Sequence, residues 1–166
     1  MIKEPVILWL DGRAFHTFSR GLGKPFSEAL MKTMDQVLVE MCQDIQGAKL
    51  GYTQSDELSI LLTDWESYET QPWFQYRVQK ISSSASSMAT ALFNRIWQDS
   101  LSMHEDTAQD LDRFANRTAM FDCKAFNLPF HEVHNWFLWR QLDWIRNSVQ
   151  MTARSLFSHK ELHGLN

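Results

Sequence analysis

The sequence predicts an α+β domain in which helices pack on one face of a single antiparallel sheet. Three observations carry this expectation. Val6-Ile7-Leu8-Trp9-Leu10 is an unbroken apolar run ending at Asp11-Gly12, as in a strand buried on both faces. Residues 48–62 alternate apolar and polar on either side of a short polar turn, the pattern of a hairpin. Long segments with helical spacing flank that hairpin.

Each element follows in order. After the first strand, residues 12–26 hold Gly12, Gly21, Gly23 and Pro25 with Arg13, Arg20 and Lys24, and read as a basic loop. Ser27 is a natural N-cap for a helix whose apolar positions run through Leu30, Met34, Val37, Leu38 and Met41 and which closes at Gly47. In the hairpin, Ala48, Leu50 and Tyr52 answer Leu58, Ile60 and Leu62 across Gln54-Ser55-Asp56-Glu57. A second long helix is expected from about Trp73 to Ser100, and the small residues of Ser82–Ser87 read as close packing rather than a linker. The stretch 99–117, with Asp99, Glu105, Asp106, Asp110 and Asp112, reads as a solvated connection. A strand over Thr118–Cys123 and a helix from about His131 to Leu156 complete the order. On that helix Leu138, Leu142, Ile145 and Val149 form one stripe, and Trp136, Arg140, Asp143 and Asn147 lie nearly opposite.

With 166 residues and 44% apolar content, the chain is read as one domain, residues 1–166. No run reaches the ~18 apolar residues of a membrane span, and Met1 to Asp11 has no secretory pattern, so a cytoplasmic protein is expected. Cys42 and Cys123 stand far apart without Cys-x-x-Cys spacing and read as buried free thiols. A net charge of −4 argues against wholesale wrapping of nucleic acid and leaves room for a local basic site.

In a split βαβ arrangement the first strand lies beside the hairpin, which brings Asp11 and Asp56 together. Paired carboxylates repel unless a cation lies between them. Magnesium takes hard oxygen ligands and commonly combines one or two carboxylates with substrate phosphates. Two such ions, about 3.5–4 Å apart, stabilise both oxygens of a phosphoryl displacement, and the Gly12 carbonyl is an accessible further ligand. The same residues also fit a plainer reading, in which Asp11 starts a turn and Asp56 and Glu57 cap a solvated hairpin. Arg13, Lys24, Arg77 and Lys80 offer charge for a triphosphate, or stand as ordinary solvated cations. His16 either touches a nucleotide or braces its loop. Gly21-Leu22-Gly23-Lys24-Pro25 lacks the spacing and the Ser or Thr of a P-loop. His131 with His134, and His159 with His163, lack a metal signature. Trp136, Arg140, Asp143 and Asn147 read first as an internal polar network and second as a subunit or RNA contact.

Four stretches, LDGRAFHTFSRGLGKPF, GYTQSDELSILLTD, AMFDCKAFNLP and WRQLDWIRNSVQMTARSLFSHKELHG, together resemble the tRNA-His guanylyltransferase family. Trp144-Ile145-Arg146-Asn147-Ser148, in place of the eukaryotic His-Ile-Asn-Asn motif, is similar to the tRNA-His guanylyltransferase-like branch of 3′-5′ RNA polymerases. The resemblance implies a polymerase-palm-like (ferredoxin-like) fold in a chain shorter than its relatives at both ends. It implies two magnesium ions held by Asp11, the Gly12 carbonyl and Asp56, with Glu57 in the same acidic motif as a third catalytic acid. It implies that Arg13, Ala14, Phe15 and His16, with Lys24, Ser55, Arg77 and Lys80, hold the nucleoside triphosphate. Arg140, Asp143, Arg146 and Asn147 become candidate RNA or subunit contacts. The implied chemistry is nucleotide addition to the 5′ end of tRNA after activation with ATP or GTP, either as end repair or as guanylate addition to tRNA-His. The implied assembly is a homotetramer. The rival readings are a palm-type nucleotide cyclase, which needs no RNA acceptor, and a non-catalytic RNA- or nucleotide-binding module. The chain has no Gly-Gly-Asp-Glu-Phe signature to support the cyclase.

Overall fold

The computed structural model describes residues 3–103, 114 and 116–164. Of the acid-rich stretch, Glu105, Asp106, Asp110 and Asp112 lie outside the described residues. The chain forms strands β1 (Val6–Gly12), β2 (Ala48–Gln54), β3 (Glu57–Leu62) and β4 (Phe121–Asn127), and helices α1 (Phe15–Phe18), α2 (Glu28–Asp44), α3 (Val78–Met103), α4 (Val133–Leu156) and α5 (His159–Leu162). The strands make a four-stranded antiparallel sheet in the order β2-β3-β1-β4. The expected α+β class is therefore observed, with β1 as a central strand.

The apolar run of β1 follows from its position. Leu8 and Leu10 are fully buried in the core with residues of α2 and α3, and Ile7 on the opposite face is buried as well. Ser27 caps α2, its hydroxyl accepting from the Leu30 amide at 3.3 Å, and Met34, Val37, Leu38 and Met41 form the buried stripe. Along α3 the buried positions include Ile81, Ala85, Ala89, Phe93, Ile96, Trp97 and Leu101. Ala85 and Ala89 are the small residues that allow close packing there, whereas the exposed Ser83 and the half-buried Ser86 bond back to helix carbonyls. Asn94 clips α3 to the chain entering β4: its side chain donates to the Ala119 carbonyl and accepts from the Ala119 amide, both at 2.9 Å. At the start of β2, Gly47 has φ +84, and a Cβ there would lie 2.6 Å from the Thr63 carbonyl oxygen, so the crossing requires glycine.

Three details differ from the expectation. Residues 73–76 form a tight turn before α3, with Phe74, Gln75 and Tyr76 at positive φ, rather than the first turn of the helix. The basic loop contains the short helix α1, whose Phe15 and Phe18 are buried with Phe93 and Phe121, so it is a packed element. The helices also do not share one face of the sheet: α4 lies across the other. Trp136 meets Trp9 edge-on at 5.5 Å and donates its indole N–H to Ser59 Oγ at 3.3 Å, and Phe137 meets Tyr52. The polar side of α4 is the one turned inward. Arg140 is 3% exposed, whereas Leu142 is 57% and Val149 64% exposed. No helix among the described residues is long and apolar enough to cross a membrane. Cys42 and Cys123 are free and half-buried, and burial, with Asp122 nearby, pushes the Cys123 thiol up to about 12.

Candidate active site

The antiparallel register explains why residues distant in sequence meet. β1 pairs Asp11 with Glu57 on β3 and with Asp122 on β4, so one row across the sheet carries three acids. The turn between β2 and β3 is Ser55-Asp56, with Ser55 at φ 52 and its hydroxyl donating to Asp56 Oδ1 at 2.9 Å. The Gly12 amide donates to the Asp56 carbonyl at 3.1 Å and the Arg13 amide to the Met120 carbonyl at 2.8 Å, which fastens the end of β1 to both neighbours. A Cβ on Gly12 would stand 2.2 Å from Cδ2 of Phe15, so glycine here is what allows α1 to fold back over the strand end.

Burial pushes the Asp11 carboxyl up, and the charges of Glu57 and Asp122 add to it; Lys124 acts the other way. Burial also raises Asp56, against the Ser55 hydrogen bond, with further repulsion from Asp11 and Glu57. Two acids that are each hindered from ionising by burial and by one another are a fitting donor set for a hard divalent cation. Among the described residues no group of three or more His, Cys, Asp or Glu side chains closes around an ion position. Asp11 and Asp56 thus fit magnesium as a pair that leaves coordination for phosphate and water oxygens, rather than as a closed cage.

Beside the turn lies a cleft. The α1–α2 loop contributes Lys24 and Phe26, α2 contributes Leu30 and Met31, the turn contributes Gln54 and Ser55, and α4 contributes Trp144, Asn147 and Met151. Apolar walls with a few polar groups at one end suit a nucleobase and its phosphates. Lys24 and Ser55, expected at the nucleotide, are together here. Arg13 and Ala14 are exposed where the chain leaves β1, and His16 is exposed on α1, where it bonds Thr17 Oγ1 at 3.1 Å.

Other expectations need correction. Phe15 is 5% exposed inside an aromatic cluster, so its ring has no free face for a base. Arg77 directly precedes α3 and Lys80 lies in its first turn, near the Val6 end of β1, and the strand from Val6 to Asp11 spans ~17 Å at ~3.3 Å per residue. Lys80 there sits 5.2 Å over the Phe74 ring. Arg77 has extended backbone, with ψ 104, ahead of α3, so the one-turn spacing does not place it on a helix face with Lys80, nor does spacing say which end of the sheet the helix start adjoins.

Glu57 faces α4. Its Oε2 accepts from Arg140 Nη1 at 2.5 Å, from Trp9 Nε1 at 3.3 Å and from Gln54 Nε2 at 3.4 Å. The third catalytic acid of the sequence reading is thus committed to an internal ion pair. Arg140, read first as part of an internal polar network and second as an RNA or subunit contact, is that pair's buried partner, in line with the first reading, and lies 3.5 Å over the Trp139 ring. Asp143 continues the network, accepting from Gln54 at 3.3 Å, Arg146 at 2.9 Å and Asn147 at 3.1 Å. Arg146 remains exposed, and Asn147 opens onto the cleft. Sequence reasoning assigned nothing to Gln54, which is 6% exposed, or to Asp122. The two-residue strand period points Gln54 opposite Glu57, and a β4 register placed three residues later would have found Asp122.

The family model described as tRNAHis guanylyltransferase matches residues 1–129. A bacterial tRNA(His) guanylyltransferase (Thg1)-like protein solved in complex with ATP is 42% identical, with a TM-score of 0.86 over 98% of this chain and 66% of its own. A bacterial protein of the same description solved with GTP is 40% identical, with a TM-score of 0.82 over 94% of this chain and 69% of its own. The tRNA(His) guanylyltransferase of Saccharomyces cerevisiae shares the fold, at 20% identity and a TM-score of 0.65 over 84% of this chain and 58% of its own. Among curated proteins, a probable tRNA(His) guanylyltransferase of Dictyostelium discoideum is 26% identical over 89% of this chain and 54% of its own length. An uncharacterised protein of Acanthamoeba polyphaga mimivirus is 28% identical over 95% of this chain and 58% of its own. The chain thus spans just over half the length of these curated relatives.

Proposed function

Because this chain belongs to the tRNA(His) guanylyltransferase family, we propose that it is a magnesium-dependent 3′-5′ nucleotidyltransferase that extends the 5′ end of tRNA after ATP- or GTP-dependent activation. The observation that carries this reading is the meeting of Asp11 and Asp56 at one end of the sheet, joined through the Gly12 amide, beside a cleft containing Lys24 and Ser55. When bound, magnesium supplies electrostatic stabilisation to the attacking and leaving oxygens of a phosphoryl displacement. The residues that would hold it are Asp11 and Asp56, with the Gly12 carbonyl as a further oxygen. Lys24 then neutralises phosphate charge, and Ser55 holds the Asp56 carboxylate in place through its hydroxyl. Phe26, Met31 and Trp144 shield the base from water.

End repair of 5′-truncated tRNA is the favoured form of the reaction, because the Trp144–Ser148 segment follows the like-protein branch. A homo-oligomer, a tetramer by family resemblance, belongs to the same reading, and the exposed apolar residues Leu142, Val149 and Leu156 on α4 support it. The test is to incubate 5′-monophosphorylated, 5′-truncated tRNA with ATP, GTP and magnesium. Extension that is lost in Asp56→Ala is expected. Absence of any extension by the unmodified protein overturns the reading, and nucleotide products formed without RNA would replace it with a cyclase.

A further inference from the structure

We propose that Arg140 and Asp143 of α4 are positioning residues that set the geometry of the Asp56 turn, with Glu57 as their intermediary rather than as a metal ligand. This rests on the reading of Asp56 as a magnesium ligand. Gln54 and Glu57 are the cross-strand pair that closes it, so only Ser55 and Asp56 project beyond. Both members of that closing pair are held from the same helix: Glu57 by Arg140 Nη1 at 2.5 Å, and Gln54 by Asp143 Oδ2 at 3.3 Å. Gln54 Nε2 also reaches Glu57 Oε2, which joins the two holds across the turn.

The helix end of this arrangement is enclosed. Arg140 is 3% exposed and enclosed by Trp9, Trp136 and Trp139, with its guanidinium carbon 3.5 Å above the Trp139 ring. Its Nη2 lies 3.7 Å from Asp143, so the two anchors also restrain one another. A buried cation with two carboxylate neighbours is costly to assemble unless its geometry is well satisfied, and a hydrophobic replacement would serve stability as well. Its placement against a turn that carries a catalytic acid is what a positioning role requires. Asn147, one turn further along α4, bonds Asp143 and lines the cleft, so the network reaches from the buried guanidinium to the nucleotide side of the turn.

The experiment measures Mn²⁺ binding in the absence of nucleotide, by loss of the free-ion electron paramagnetic resonance signal, alongside thermal unfolding and a magnesium titration of tRNA extension. Arg140→Lys keeps the charge but loses the fork, and Asp143→Asn keeps the shape but loses the anion. Each is expected to bind Mn²⁺ about tenfold more weakly, as loss of an outer partner does, and to recover extension at high magnesium. Glu57→Gln is expected to weaken binding no more than Arg140→Lys. The double variant Arg140→Met with Glu57→Gln carries no uncompensated buried charge, folds where a single change fails, and is expected to weaken binding to the same degree. Unchanged Mn²⁺ affinity in the folded variants overturns the inference, as does loss of binding in Glu57→Gln beyond that of Arg140→Lys, or failure of the unmodified protein to bind Mn²⁺. Weakened Mn²⁺ binding in the variants with no extension by any form would leave the positioning role standing and remove the proposed reaction.

Discussion

The Gly12 amide donates to the Asp56 carbonyl at 3.1 Å, so the end of β1 and the β2–β3 turn are one hydrogen-bonded piece of backbone. The separation of the two candidate metal-binding acids is therefore set by main-chain pairing before any ion arrives.

Gly12→Ala should disturb this junction from the side of the core. The added Cβ would meet the Phe15 ring at 2.2 Å, and that ring is fixed among Phe18, Phe93 and Phe121. A loss of about 1–3 kcal/mol is expected, as for other overpacked cores, and urea denaturation measures it. Adding Phe15→Leu should return part of the loss, because it makes space at the site of the collision.

Phe15→Leu alone separates packing from recognition. Burial of the ring predicts destabilisation on the order of 1 kcal/mol or more, with nucleotide affinity of the folded protein changed by less than about twofold. Calorimetric titration with GTP checks the second half. A large loss of affinity at unchanged stability would return Phe15 to the nucleotide.

Removal of divalent ions should expose the raised Asp56 carboxyl. Its folded pKa lies above the ordinary value of 3.8, so between the two values the folded chain keeps a proton that the unfolded chain has released. Stability from this group is thus present at low pH and falls as pH rises through the folded pKa. In EDTA, Asp56→Asn should flatten that fall and be more stable than the unmodified protein near pH 7, where magnesium should stabilise only the latter. Unfolding curves collected across pH with and without magnesium decide this.

Lys24→Ala should weaken GTP binding by about tenfold or more, the usual loss for a hydrogen bond to a charged partner. Lys24→Arg should retain most of the affinity because the cleft is open at the Lys24 side chain, which is exposed. Equal affinities for Lys24→Ala and the unmodified protein would move the phosphates elsewhere.

The meeting of Asp11 and Asp56 was legible in the sequence because strand period and hairpin connectivity are local signals, and they suffice to bring the two acids to one end of a sheet. The orientation of α4 was not. Periodicity along residues 133–156 distinguishes two faces without saying which one meets the sheet, and it is Arg140, in the set read first as an internal polar network, that is buried. Only the three tryptophans around the guanidinium and the Glu57 carboxylate below it make the polar face the better contact. Helix α1 escaped for a different reason: four residues hold little more than one turn, too short to show a period among glycines and cations. The position of Arg77 and Lys80 depended on which end of the sheet α3 starts from, a long-range property that spacing within a helix does not encode.

The central place of β1 also sets a timetable. On the ribosome this strand emerges before either neighbour, and its Val6 pairs with Leu62 on one side and Asn127 on the other, while Gly12 waits for Phe121. Until β4 has left the exit tunnel, one whole edge of an apolar strand has no partner. The sheet can close only after residues 121–127 have been made, and until then the open edge of β1 is a template for pairing with another chain.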